Sequence, residues 1–154
     1  MAKYNVFDVC NYILHSEPMT PKRLQKVLYF CYSFYLAANN KKGAKILNRL
    51  FKEHFEAWIH GPVIPKVYAK YADFGMSEIC VDEIDDVIEK KDAKFLNYMI
   101  ESLKQFSTYK LESISHNQSP WINARGNCNP NDICKNKLSD IDILECFASM
   151  VNNG

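Results

Sequence analysis

The chain has 154 residues, 47% apolar and 24% charged, with a formal net charge of +1, the profile of one ordinary globular domain. A chain of this length buries roughly 70% of its unfolded surface, so a core needs no staples. The composition excludes disordered, collagen-like and small disulfide-scaffold classes. No apolar run approaches the roughly 20 residues of a membrane helix.

The opening Met1-Ala2-Lys3-Tyr4-Asn5 leads into a segment carrying Asp8 and does not read as a secretion signal. Val6, Val9, Cys10 and Ile13 then repeat at helical spacing and predict a first amphipathic helix. Thr20-Pro21 supplies an N-cap with proline at the first helical position. The second helix carries Leu24, Val27, Leu28, Cys31 and Tyr35 on its apolar face, with Lys22, Arg23 and Lys26 on its polar face. Asn39 to Gly43 is a polar turn that ends it.

Phe55 to His60 reads as a short strand or extended stretch, stopped by Gly61-Pro62. Pro65 opens a helix with Val67, Tyr68, Tyr71 and Ala72 on its apolar face, and Gly75 closes it. In the acidic stretch 76–91, Ile84, Val87 and Ile88 fit a short helix. Asp92 is expected to cap a longer helix through Phe106, with Leu96, Met99, Ile100, Leu103 and Phe106 as its stripe. Ser107-Thr108 starts a helix ending at His116. Ser119-Pro120 starts another, closed by Gly126 after Arg125. A loop follows at 127–137. Ser139 caps a final helix, with Asp140 and Asp142 placed against its dipole and Ile141, Leu144, Phe147, Ala148 and Val151 toward the core. The predicted architecture is mainly α, one compact helical domain over 1–154 with at most one or two short strands.

The net charge conceals a segregation. Residues 21–70 hold ten Lys/Arg and two Glu, a local +8, and residues 71–101 hold nine Asp/Glu and three Lys, a local −6. Two readings follow: the segments are solvated or face each other, or the basic one attracts an acidic protein or a nucleic acid. Balance over the whole chain argues against a dedicated nucleic-acid binder.

The six cysteines, Cys10, Cys31, Cys80, Cys128, Cys134 and Cys146, contain no CxxC pair. Without a secretion signal they are expected to be reduced thiols in a cytoplasm. Cys10, Cys31 and Cys146 fall on helix faces as small hydrophobes, leaving Cys128 and Cys134 as the candidates for exposed thiols. A zinc set of His116, Cys128 and Cys134 has looser spacing than structural knuckles, and no metal or cofactor is expected. No glycine-rich phosphate loop, HExxH or GxSxG occurs, and a Cys–His nucleophile would be a chance pairing. Trp58 and Trp121 sit beside prolines, where a tryptophan either seats a corner of the fold or anchors a partner. His60 and His116 end elements and suit backbone bonding.

Three segments resemble the motifs of a known family. Leu24-Gln25-Lys26-Val27-Leu28-Tyr29-Phe30 is similar to its LQKLLYF helix. Phe55-Glu56-Ala57-Trp58, followed by Gly61-Pro62-Val63, Pro65 and Tyr68, is similar to FEAW-x-x-GPV-x-P-x-x-Y. Leu111, Ser115-His116, Pro120-Trp121 and Ala124-Arg125 are similar to L-x-x-x-SH-x-x-x-PW-x-x-AR. The final helix resembles the family's C-terminal ending less closely, through Ile141 and Phe147. The family is the Panacea domain, the SocA-like antitoxin domain of bacteria and their phages.

The resemblance implies a helical, non-enzymatic antitoxin. It would neutralise a protein toxin encoded by an adjacent gene through direct contact, or pass that toxin to a host protease as an adaptor. The candidate partner-binding residues are Trp58, His60, Tyr68, His116, Trp121 and Arg125. The alternative reading is a DNA-binding regulator of its own operon, using the basic segment.

Overall fold

In a computed structural model, which describes residues 1–152, the chain forms seven α-helices and one β-hairpin. The domain end expected at residue 154 lies outside the described residues. The helices are α1 Val6–Ser16, α2 Pro21–Asn39, α3 Pro65–Tyr71, α4 Lys90–Leu103, α5 Thr108–His116, α6 Ser119–Arg125 and α7 Asp140–Asn152. The hairpin pairs β1, Glu56–Trp58, with β2, Gly61–Val63, in antiparallel register.

Local chemistry starts the helices where the sequence indicates. Asn5 Oδ1 accepts from Phe7 N at 2.8 Å, Thr20 Oγ1 from Arg23 N at 3.2 Å and Ser107 Oγ from Lys110 N at 3.0 Å. Each satisfies a backbone donor that has no partner inside its helix. Ser139 Oγ does the same for Asp142 at 3.3 Å. Gly126 ends α6 at φ +49°.

Helix α2 is the axis of the molecule. Thirteen of its residues are buried, on every side, as expected of a helix enclosed by its neighbours. Helices α3, α4, α5 and α7 and the hairpin all pack on it. Tyr29 meets Phe30, Phe55 and Phe147 edge to face, with centroids 5.2–5.7 Å apart, a favoured geometry for aromatic pairs.

Several expectations are corrected. Lys26, placed on a polar face, is buried, because the hairpin turn and α5 cover that side of α2. The stretch 76–89 forms no helix. Its carboxylates would stack like charges one turn apart, and tertiary bonds hold it extended instead. Ile79 N donates to Met19 O at 2.8 Å, Val81 O lies 3.1 Å from His15 Nδ1, and Glu89 N donates to the Tyr4 hydroxyl. Helix α4 begins two residues before Asp92 and ends at Leu103. Asp92 is buried in its first turn, accepting from the Tyr4 hydroxyl at 2.6 Å and pairing with Lys3 at 2.8 Å.

At α6 the cap position belongs to Gln118, so Ser119 is already helical. In α7 the core face is Ile143, Leu144, Phe147 and Ala148, while Ile141 and Val151 are exposed. Tyr68 and Ala72, assigned to the apolar face of α3, are also exposed. Cys128 and Cys134 are bonded to each other as a disulfide, and Cys134 is buried. The polar loop folds back over Arg125 and brings the two together. Among the described residues, the exposed free thiol is Cys80.

Candidate partner-binding surface

The three sequence motifs converge on the hairpin. Along β1, side chains alternate in direction, so Phe55 and Ala57 point into the core while Glu56 and Trp58 face outward, partly exposed. The turn needs glycine at position 61. Its φ is +117°, and a Cβ there would lie 3.2 Å from both Lys26 Nζ and Ser115 Oγ.

Two polar side chains of α2 hold the hairpin's far end. Gln25 Nε2 donates to Ile64 O at 3.2 Å, and its Oε1 accepts from Ile64 N at 2.9 Å. Lys26 donates to the carbonyl of His60, and its ammonium lies 3.4 Å from Glu112 Oε1. Glu112 also meets Lys22 at 3.2 Å and His60 Nδ1 at 3.4 Å. Burial pulls the Lys26 ammonium below the ordinary lysine pKa, against the attraction of Glu112. Burial alone would raise Glu112; the cations Lys26 and Lys22 and the His60 bond outweigh it and hold the carboxyl below its ordinary value.

The third motif clamps β1 from the other side. The His116 and Trp121 rings stack at 4.2 Å and 24°. Burial pushes the His116 imidazole below its ordinary pKa. Trp121 Nε1 donates to Trp58 O at 2.9 Å. The Arg125 guanidinium donates to Ala57 O at 3.0 Å, to Asp132 O at 3.3 Å and to Asn129 O. It also lies 5.4 Å from the Trp121 ring.

The six candidate residues therefore divide. Trp58, His60 and Tyr68 reach the surface: the Trp58 and Tyr68 rings meet edge to face at 5.1 Å, Tyr68 is 51% exposed and the His60 side chain 68%. His116 and Trp121 are half-buried and stacked on each other. Arg125 is only 6% exposed, so its guanidinium is turned into the fold rather than presented on the surface. Of the formal zinc set, Cys128 and Cys134 are bonded to each other and His116 lies on Trp121.

Beside the exposed three residues runs a groove of about 760 Å³ between the start of α2, the hairpin and α3, with Ile133 and Lys135 at its edge. Trp58, Val63, Val67, Tyr68 and Tyr71 supply apolar lining. Sequence reasoning missed Gln25, Lys26 and Glu112 as the polar frame of this region. The available signal was the adjacent polar pair Gln25 and Lys26, set between Leu24 and Val27 within a recognised motif.

Residues 24–122 match the family described as antitoxin SocA-like, Panacea domain. Neither a curated relative nor a solved structure matches the chain. The matched stretch runs from the start of the α2 motif into α6 and contains the hairpin and the Lys26–Glu112 cluster. It covers well over half of the 154 residues, which points to a role related to toxin–antitoxin systems, and the chain belongs to the antitoxin SocA-like Panacea domain family.

Proposed function

We propose that this chain is an antitoxin that inactivates a toxin encoded beside it by direct protein contact, in the cytoplasm and without catalysing a reaction. Family membership over residues 24–122 is the observation that carries the proposal. The apolar groove and exposed Tyr68 offer a surface on which such contact can form. Burial raises the thiols of Cys10 and Cys31, the latter to about 12, so neither supplies a thiolate nucleophile at neutral pH.

Part of the basic segment is committed within the fold, which reduces the charge it can offer a nucleic acid, although Lys41, Lys42, Lys45 and Lys52 are exposed. Arg23 is spent on the carbonyls of Leu103 and Phe106 at 2.9 Å each. Arg49 pairs with Asp140 at 2.8 Å and Lys66 with Glu53 at 3.3 Å. Lys26 is buried. A phosphate-tracking face needs its cations presented outward.

The test is growth rescue. Each neighbouring reading frame is expressed alone and then together with this chain. One of them should arrest growth alone and be harmless in combination. Failure of rescue with every neighbour, by a soluble and folded chain, would overturn the proposal.

A further inference from the structure

We propose that the groove beside the hairpin receives a segment of a partner protein in which an aromatic or aliphatic side chain is followed by carboxylates. This rests on the antitoxin reading only for the identity of the partner, since the recognition chemistry is read from the groove itself.

The groove's volume of about 760 Å³ falls within the roughly 300–1,000 Å³ of sites that bury ligand groups. Its apolar lining is rigid. Val67 and Tyr71 are held in the core, and Trp58 is fixed by its bond to Glu56 at 2.9 Å and its packing on Tyr68. Pre-placed aromatic surface of this kind binds at low entropic cost. Around the opening, Ile59 is 37% and Ile133 77% exposed, apolar surface that an occupant would cover.

The charge pattern chooses between occupants. Lys22, Lys26 and Lys135 line the groove, with Glu56 as the acid among them. Glu112 stands behind Lys22 and Lys26 and is shared between them; with Glu56 it offsets two of the three lysines, so one net positive charge remains. Lys22 and Lys135 are exposed and can close on an anion. A carboxylate next to an apolar anchor is complementary to both features. A nucleic-acid strand would bring more phosphates than these cations can meet and would face Glu56.

The experiment titrates the labelled full-length chain with the peptides Ac-Trp-Glu-Glu-NH2, Ac-Trp-Lys-Lys-NH2 and Ac-Gly-Glu-Glu-NH2, following backbone amide signals by NMR. The first peptide should shift signals of residues 58–68 and 133–135. It should bind roughly ten-fold more tightly than the second, because two attractions become two repulsions, and the third should bind negligibly. Lys135→Glu should weaken the first peptide about three-fold, and the exposed, remote Tyr98→Ser should leave it unchanged. Equal binding of all three peptides, shifts confined elsewhere, or no binding would overturn the proposal. So would groove signals that move with protein concentration alone, which would assign the groove to a second copy, or a stronger response to a short oligonucleotide. Growth rescue without peptide binding would sink the groove assignment alone. Peptide binding without rescue would sink the antitoxin reading alone.

Discussion

The indole N–H of Trp121 donates to the backbone carbonyl of Trp58, 63 residues earlier, at 2.9 Å. That bond joins α6 to β1. On the neighbouring residue, Arg125 donates to the carbonyl of Ala57. The hairpin is thus held from the α6 side by two side chains of one motif, and from the α2 side by Gln25 and Lys26 of another. Much of the family's motif content builds the hairpin's mounting. Of the six candidate residues, Trp58, His60 and Tyr68 are the ones that reach the surface.

Removing the mounting should cost stability first. Trp121→Ala is expected to lower stability by about 3 kcal/mol, at the low end for a tryptophan truncation because the ring is half-buried. Arg125→Ala should be comparably severe, since three backbone carbonyls lose a charged donor and unsatisfied buried groups cost about 1–3 kcal/mol each. Arg125→Lys should recover little, because an ammonium cannot reproduce the guanidinium fork. Denaturant melts of the three variants check this. A native-like melt for Arg125→Ala would show that its bonds contribute nothing.

The Lys26–Glu112 pair should behave as a coupled unit. Glu112→Gln leaves the buried Lys26 ammonium without its carboxylate and should destabilise by about 3 kcal/mol. Combining it with Lys26→Met should restore a substantial part of that loss, as a double-mutant cycle would reveal.

The same pair sets a pH signature. Glu112 is held below its ordinary pKa, so its contribution is complete above the unfolded value near 4 and is lost as pH falls through the lower folded value. Stability should decline in that acid window, and Glu112→Gln should flatten the decline. Lys26 acts in the opposite sense. Its folded pKa is lowered, so the unfolded chain binds the proton more tightly and stability rises as pH climbs toward the ordinary lysine value of about 10. Chemical melts across both windows test the two signs.

Gly61→Ala should cost about 1–3 kcal/mol. A side chain at φ +117° is strained, and its Cβ would press on Lys26 Nζ and Ser115 Oγ at 3.2 Å. Gly75→Ala is the control for a positive φ in open space, with no neighbour within 4 Å of the added Cβ. The larger loss should fall on Gly61.

The Cys128–Cys134 bridge closes a short loop, and chain-entropy reasoning assigns it about 2 kcal/mol. Cys128→Ser, or reductant added to the parent chain, should lower stability by that amount. Hydrogen exchange should show the change centred on residues 126–137. An identical melt with and without reductant would contradict a structural role.

Much of the helical framework was legible because its signals are local. Thr20-Pro21, Ser107 and Ser139 start helices by their own side-chain chemistry, and Gly126 stops one by its backbone freedom. The stretch 76–89 was misread because Ile84, Val87 and Ile88 carry helical spacing, while the bonds that keep it extended come from Met19, His15 and Tyr4. The burial of Lys26 was equally hidden. A lysine beside Lys22 and Arg23 reads as a solvated face until the fold brings Glu112, 86 positions later, against it. The basic and acidic segments were expected to meet, to be solvated, or to leave a basic face for an acidic partner. Among the described residues, no ion pair joins 21–70 to 71–101; the basic residues pair with Glu112, Asp140 and Glu53, and the acidic stretch with Lys3 and Lys104. The disulfide was missed because spacing alone does not reveal a loop that folds back over Arg125.

The most direct measurement mixes the purified neighbouring toxin with the purified chain and follows the toxin's own activity, with no protease, DNA or other component present. Direct neutralisation requires activity to fall in proportion to added chain and to vanish near equimolar amounts, with the two proteins eluting together on gel filtration. A toxin that stays fully active in excess chain would contradict neutralisation by contact.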